Sequence, residues 1–407
     1  MTYLGEFRVN WRALTAACIG MGFGYSLNNY FNNLFIPQLM REFGWSSSSV
    51  ALLGIASVLS AVGQPLAGRL TDRFGVRRVA SCGLALSVTV LILLSQMQGA
   101  LWQFFALNGL QIAVVAGTTS SVVYSRLVAQ SFSRARGLAL GLVVCAPSVV
   151  ATLAVPLLGG FIDSHGWRSG YLVTAGFTAL GGLLALSIMP RQQAVAAPSA
   201  STLTTRSAWR EVVGNPSFAL IVAGLCLCSL SMSLQVTQLK VLVESLGISS
   251  TAAAWLISAY ASGVIAGRLA CGAALDRFPT HVVASLTLAL PGLGLGILAT
   301  GTGAMPLVVI AVLLLGLSFG AEGDIAGYLA VKYFPLKVYS TALGAFAGSI
   351  SLAAAIGAVI LGLTLKLDQG FTPFLVISSL AALLTPFLFW RLKRIAPLLS
   401  QPEGGPL

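Results

Sequence analysis

Glu322 and Asp324 lie in Gly316-Leu-Ser-Phe-Gly320-Ala-Glu322-Gly-Asp324, deep in a long apolar run. A charge exposed to hydrocarbon costs about 3 kcal/mol or more, so ionisable groups in such runs are functional candidates by default. Two positions on a helix span about 200°, and the two carboxylates therefore point to nearly opposite sides. One is expected to take up and release a proton while the other bonds a neighbouring helix; the alternative is that both are structural. Arg268, in Gly263-Val-Ile-Ala-Gly267-Arg268-Leu-Ala-Cys-Gly272, is their basic counterpart. A guanidinium holds a carboxylate through paired hydrogen bonds and keeps its charge, so Arg268 suits an organic anion. Counted at about 1.5 Å per residue, Arg268 and Glu322 fall at similar depth, and a salt bridge between them is feasible. Protonation of the acid would free the arginine for substrate; the competing reading is a permanent structural pair.

A second group is neutral. Tyr25, Asn28, Asn29, Asn32 and Asn33 project within an arc of about 140° at helical periodicity. A shift of 203 residues carries Asn32 onto Gln235, with Gln238 about 60° around the helix from it. Amides both donate and accept, and serve carboxylates, hydroxyls or water; the alternative use is bonding between packed helices. Tyr124 joins the candidate lining from the fourth span. Arg126, two residues on, is placed where it reaches water or pairs with Asp72, and is a weaker candidate for a second anion contact.

The elements that must carry these groups follow from composition. The 407 residues are 57% hydrophobic and 8% charged, too little polar surface for a soluble globule of this size. Apolar runs of the roughly 20 residues that a bilayer requires are expected at 13–37, 48–70, 79–99, 102–130, 137–161, 168–189, 216–240, 251–274, 282–302, 305–331, 340–365 and 371–390. The expected fold is all-α, with twelve transmembrane helices, both termini cytoplasmic, in the plasma (inner) membrane. With that orientation Arg41, Arg168, Lys240 and Lys366 fall outside, Arg126 and Arg268 lie within spans, and the other 17 of 23 Lys and Arg face inward. The net charge of +12 is thereby explained as the positive-inside bias, with no nucleic acid as partner. Cys18, Cys82, Cys145, Cys226, Cys228 and Cys271 sit in apolar spans as packing residues. His165 and His281 are too few for a histidine-rich metal site, no phosphate-binding loop is present, and no cleavable signal is expected before the first span. No cofactor, metal or enzymatic activity is expected.

Polar landmarks repeat. Gly68, Asp72, Arg73 and Phe74 return 204 positions later as Gly272, Asp276, Arg277 and Phe278, and Leu140-Gly141 returns 203 later as Leu343-Gly344. Asp163, Gly166, Trp167 and Tyr171 are echoed by Asp368, Gly370, Phe371 and Phe374. The expected division is a six-helix bundle at 1–189, a cytoplasmic linker at 190–215 with a short surface helix around Trp209, a second bundle at 216–394 and a tail at 395–407. Such repeats build secondary transporters, with the substrate bound near mid-membrane where the halves meet.

The stretch Gly68-Arg-Leu-Thr-Asp72-Arg73-Phe-Gly-Val-Arg77-Arg78 sets one acid among four bases between two spans. It resembles the loop signature of the major facilitator superfamily, from which it departs mainly at Thr71 and Val76. Arg136-Gly-Leu-Ala-Leu-Gly141, Gly160-x-x-Asp163-x-x-Gly166-Trp167-Arg168 and Gly267-Arg268-x-x-x-Gly272-x-x-x-Asp276-Arg277 resemble its monocarboxylate and oxalate/formate branch. The resemblance implies alternating-access transport of a small organic anion, monocarboxylate carriage with a proton, Arg268 as anchor, and Gly68, Asp72, Arg73, Arg77, Arg126, Asp276 and Arg277 as gating or structural groups. A single chain is expected to act alone. Relatives often carry an acid where Val264 stands, which shifts proton coupling to Glu322 or Asp324. Pro156-Leu-Leu-Gly159-Gly160 resembles a drug and proton antiporter signature without its preceding glycine, leaving efflux of drugs or neutral metabolites, and anion exchange, as alternatives.

Overall fold

The computed structural model describes residues 3–132, 135–190, 205–335, 338–367 and 370–393, and every regular element among them is helical. Inside hydrocarbon a segment must satisfy its own backbone hydrogen bonds, which is why long apolar runs fold this way. The first run is broken into α1 (Tyr3–Gly22) and α2 (Tyr25–Phe43). At the break the Tyr25 amide donates to Thr119 Oγ1 at 3.0 Å, replacing a lost ladder bond. The second run comprises α3 (Ser47–Ala51), a 3-10 turn (Leu52–Ala56) and α4 (Ser57–Phe74). After Gly75 comes α5 (Val76–Ser95), and then α6 (Leu101–Leu110), a π turn (Gln111–Val115), α7 (Ala116–Thr118) and α8 (Ser121–Ser131).

The 53-residue α9 (Arg136–Ile188) holds the fifth and sixth expected spans. Straight, it would run about 80 Å, well over twice the bilayer core. It turns at Gly166, whose φ of +82° and ψ of 160° are open to glycine and strained for other residues. A Cβ on Gly170 would lie 2.6 Å from Ile162, eight positions earlier, where a straight helix would separate them by about 12 Å. The element is therefore a hairpin.

The short helix expected at Trp209 is present as α10 (Thr205–Val213). The seventh run is again broken, into α11 (Pro216–Ser229), α12 (Met232–Thr237) and α13 (Leu239–Ser245). Then come α14 (Ser250–Arg277), α15 (Thr280–Ala299), α16 (Met305–Tyr333), α17 (Tyr339–Lys366) and α18 (Thr372–Leu392). Among the described residues nine segments are long and apolar enough to cross a membrane. The first two expected runs are not among the nine, and the fifth and sixth are continuous, which accounts for the difference from twelve. Residues 191–204 of the expected linker and the tail from 394 lie outside the described residues.

Glycines set the closest packing. A Cβ on Gly267 would sit 2.0 Å from the Leu317 carbonyl oxygen, and one on Gly320 would sit 2.1 Å from that of Val264. Small residues four apart on α14 and α16 let the backbones touch, the usual device where lipid supplies no hydrophobic drive. Between the first and second halves of the chain, α9 packs on α14, α17 packs on α3, the 3-10 turn and α4, and α2 packs on α12 and α13. Hydrogen bonds reinforce these seams. Ser57 Oγ donates to the Ser351 carbonyl at 3.0 Å, Ser258 Oγ donates to the Thr152 carbonyl, and Gln238 Nε2 donates to the Ser47 carbonyl at 2.7 Å.

Candidate functional site

Two adjoining cavities open inside the helical assembly. The larger, about 260 Å³, lies between α2, α4, α6 and α12, and its wall includes Tyr25, Asn29, Asn32, Gln64, Asn108 and Ser233. The smaller, about 140 Å³, is bounded by Tyr30, Ser148, Gln235, Tyr260, Val264 and Arg268. Met21, Ser26, Asn29 and Val236 border both, so the two are lobes of one space.

Helix breaks bring these groups inward. On α2, Asn33 Nδ2 donates to the carbonyls of Gln235 and Val236 at 3.1 and 2.9 Å, and Asn33 Oδ1 accepts from the Lys240 amide at 3.3 Å. Those are backbone groups that the interruption between α12 and α13 frees, and a side chain on a neighbouring helix satisfies them. Gln235 Nε2 donates to Ser231 Oγ at 2.8 Å, and Gln235 Oε1 accepts from Tyr260 at 3.1 Å. Tyr30, whose ring centroid lies 6.1 Å from that of Tyr260, shares a hydrogen bond of 2.8 Å with Ser148. The π turn places Gln111 where its Oε1 accepts from Asn28 Nδ2 at 2.8 Å.

The charged groups separate by role. Arg268 Nη1 meets Asp324 Oδ1 at 3.3 Å, with 16% of the arginine side chain and 35% of the aspartate side chain exposed. Arg268 Nε is buried without a partner. A single long contact leaves most of the guanidinium fork free for another anion. Glu322 is buried and accepts from Ser229 Oγ on α11. The acid next to Arg268 is thus Asp324, while Glu322 is tied to a neighbouring helix. Depth counting placed Glu322 level with the arginine, and the rotation of α16 against α14 turns Asp324 towards it instead.

Of the residues singled out from sequence, Tyr25, Asn29, Asn32, Gln235 and Arg268 line the two lobes. Asn28 is held by Gln111, and Gln238 is fully buried against Ser47 at a seam. Tyr124 lies in a buried cluster with Ala13, Ala17 and Leu127, its ring against Gly20. Arg126 is half-buried, and Arg73, Arg77 and Arg277 are exposed. Gly68 and the side chains of Asp72 and Asp276 lie outside the described ones. Tyr30, Ser148, Tyr260, Gln64 and Asn108 were not singled out from sequence. The run Ser57, Ser60, Gln64, at i, i+3 and i+7, was the signal for the polar face of α4.

A separate charged cluster sits at one end of the seam. Arg41 on α2 pairs with Glu244 on α13 at 2.9 Å, and buried Lys240 lies 3.8 Å from the same carboxylate. Nearby, Glu42 accepts from Trp167 and pairs with Arg168 at 2.6 Å. Donation from Trp167, and then from Arg168, holds the Glu42 carboxyl below its ordinary range.

The family model described as the Major Facilitator Superfamily matches residues 18–238 and 221–406. Monocarboxylate transporter 13 of Rattus norvegicus is 23% identical over 317 residues, covering 72% of this chain and 71% of that protein. Multidrug resistance protein MdtG of Klebsiella pneumoniae is 28% identical over 220 residues, and the match spans 52% of each. The nucleoside transporter NupG superposes with a TM-score of 0.75 over 95% of this chain and 99% of that one, at 13% identity, a likeness of fold alone.

Proposed function

The chain belongs to the Major Facilitator Superfamily, and from that premise we propose that it is a proton-linked secondary transporter of small organic anions, monocarboxylates foremost. The observation that carries this reading is Arg268, a permanent cation on the wall of an interior cavity and only singly held, by Asp324 at 3.3 Å. Substrate carboxylate and Asp324 compete for one guanidinium. Protonating Asp324 removes the competitor, which links anion binding to proton binding. Similarity to monocarboxylate transporter 13 supports the anion class. Glu322 is the second candidate for the proton, with the Ser229 hydroxyl as its hydrogen-bond partner.

Two six-helix bundles, at 1–189 and 216–394, rock about the cavity in alternating access. Gly68, Asp72, Arg73, Arg77, Arg126, Asp276 and Arg277 brace the ends facing the cytoplasm, where both termini lie, and a single chain in the plasma membrane suffices.

Purified protein in liposomes is expected to take up labelled monocarboxylate faster when the opposite compartment is alkaline. Arg268→Ala abolishes uptake, and Asp324→Asn leaves uptake that no longer responds to the pH gradient. Uptake by Arg268→Ala at the unaltered rate would overturn the anchor assignment. A second reading, proton-driven drug efflux, is favoured by the likeness to MdtG; it calls for drug resistance conferred on a pump-deficient host.

A further inference from the structure

We propose that the transported carboxylate carries a polyhydroxylated body, as in an aldonic or uronic acid, with the carboxylate at Arg268 and the hydroxyls in the larger lobe. The inference rests on the anion reading above and adds the chemistry of the rest of the ligand. The lobes share Met21, Ser26, Asn29 and Val236, so one molecule can reach from Arg268 into the larger space. At about 260 Å³, that space has the volume of roughly eight or nine waters, more than the body of a two- or three-carbon acid displaces.

Its wall selects a chemistry. Polar side chains outnumber apolar ones there and none is charged. Among the described residues the side chains of Tyr25, Asn29, Asn32 and Gln64 face this space without a hydrogen-bond partner. Ser233 Oγ, on the same wall, is buried and unpartnered. Amides and hydroxyls each donate and accept, which matches alcohol groups in either sense. An alkyl chain would meet Met21, Leu53, Ile112 and Met232 but would strip water from the unpartnered amides and hydroxyls without replacing those hydrogen bonds, the larger of the two penalties in hydrogen bonding. A second carboxylate would meet no cation there. A site built for hydroxyls discriminates sharply against analogues that lack them.

Full-length protein in liposomes tests this by competition against a labelled carboxylate, with gluconate, glucuronate, hexanoate and glucose as competitors. Gluconate or glucuronate is expected to half-inhibit at a concentration about tenfold below hexanoate, and glucose, without a carboxylate, to compete poorly. Asn32→Leu and Gln64→Leu are expected to bring the ratio of gluconate to hexanoate potency towards one, a readout independent of how much active protein each sample contains. Equal or better competition by hexanoate, or an unchanged ratio in both variants, overturns the proposal while leaving anion transport standing. Transport of no carboxylate at all overturns both.

Discussion

Arg268 and Asp324 illustrate what a single side chain does in this interior, and Glu42 what one does at its edge. Glu42 is exposed, but Trp167 and Arg168 donate to it and depress its titration below the ordinary 4.5. A depressed carboxylate contributes stability that is complete above its unfolded value and is lost as pH falls through the folded one. Thermal melts in detergent are expected to show Glu42→Gln less stable than the parent at neutral pH, with the gap closing below about pH 4.5; a gap that persists at lower pH would contradict this origin. Side chains were also the scale at which sequence was most informative and most ambiguous. The spacing of Tyr25, Asn29 and Asn32 announced a polar helix face, and all three reach the cavity. Asn28 and Asn33 belong to the same arc, yet one meets Gln111 and the other the break after α12. Both partners arise from irregular backbone, a π turn and an interrupted helix, which periodicity does not encode.

At the level of elements, the contact between α14 and α16 decides which acid faces Arg268. Gly267 and Gly320 lie backbone to backbone with the partner helix, and no side chain could be inserted without parting them. Gly320→Val is expected to destabilise the protein by about 2 kcal/mol or more and to weaken the Arg268–Asp324 contact. Gly327→Ala, at a position with open space around it, should be neutral in the same melting assay. Gly263 and Gly267, and Gly316 and Gly320, stand in the sequence at the four-residue spacing that close helix packing uses. The angle at which the helices cross is not legible there, because it follows from how ridges on both surfaces fit together. The same limit explains the salt bridge drawn from sequence between Arg268 and Glu322: axial depth can be counted along a chain, and rotation about the axis cannot.

Across the whole molecule, one end of the seam between the two halves of the chain carries Arg41, Lys240 and Glu244. Removing the shared anion leaves the buried Lys240 ammonium uncompensated, a strongly unfavourable state. Glu244→Gln is therefore expected to favour the arrangement in which this end opens. Maleimide labelling of Ser262→Cys, at the seam between α14 and α9, should rise by about threefold or more in that background; unchanged labelling would argue that the cluster is not a latch. Fold class was legible from apolar length alone, whereas the continuity of the fifth and sixth spans was not. That continuity bears on biosynthesis. Only Gly166 departs from helical geometry within the 53 residues of α9, so no long polar loop is available to be threaded across the bilayer between the two spans. The pair is best delivered to the membrane as a preformed helical hairpin, entering together from one side. A turn made at one residue then sets the antiparallel pairing of these two spans.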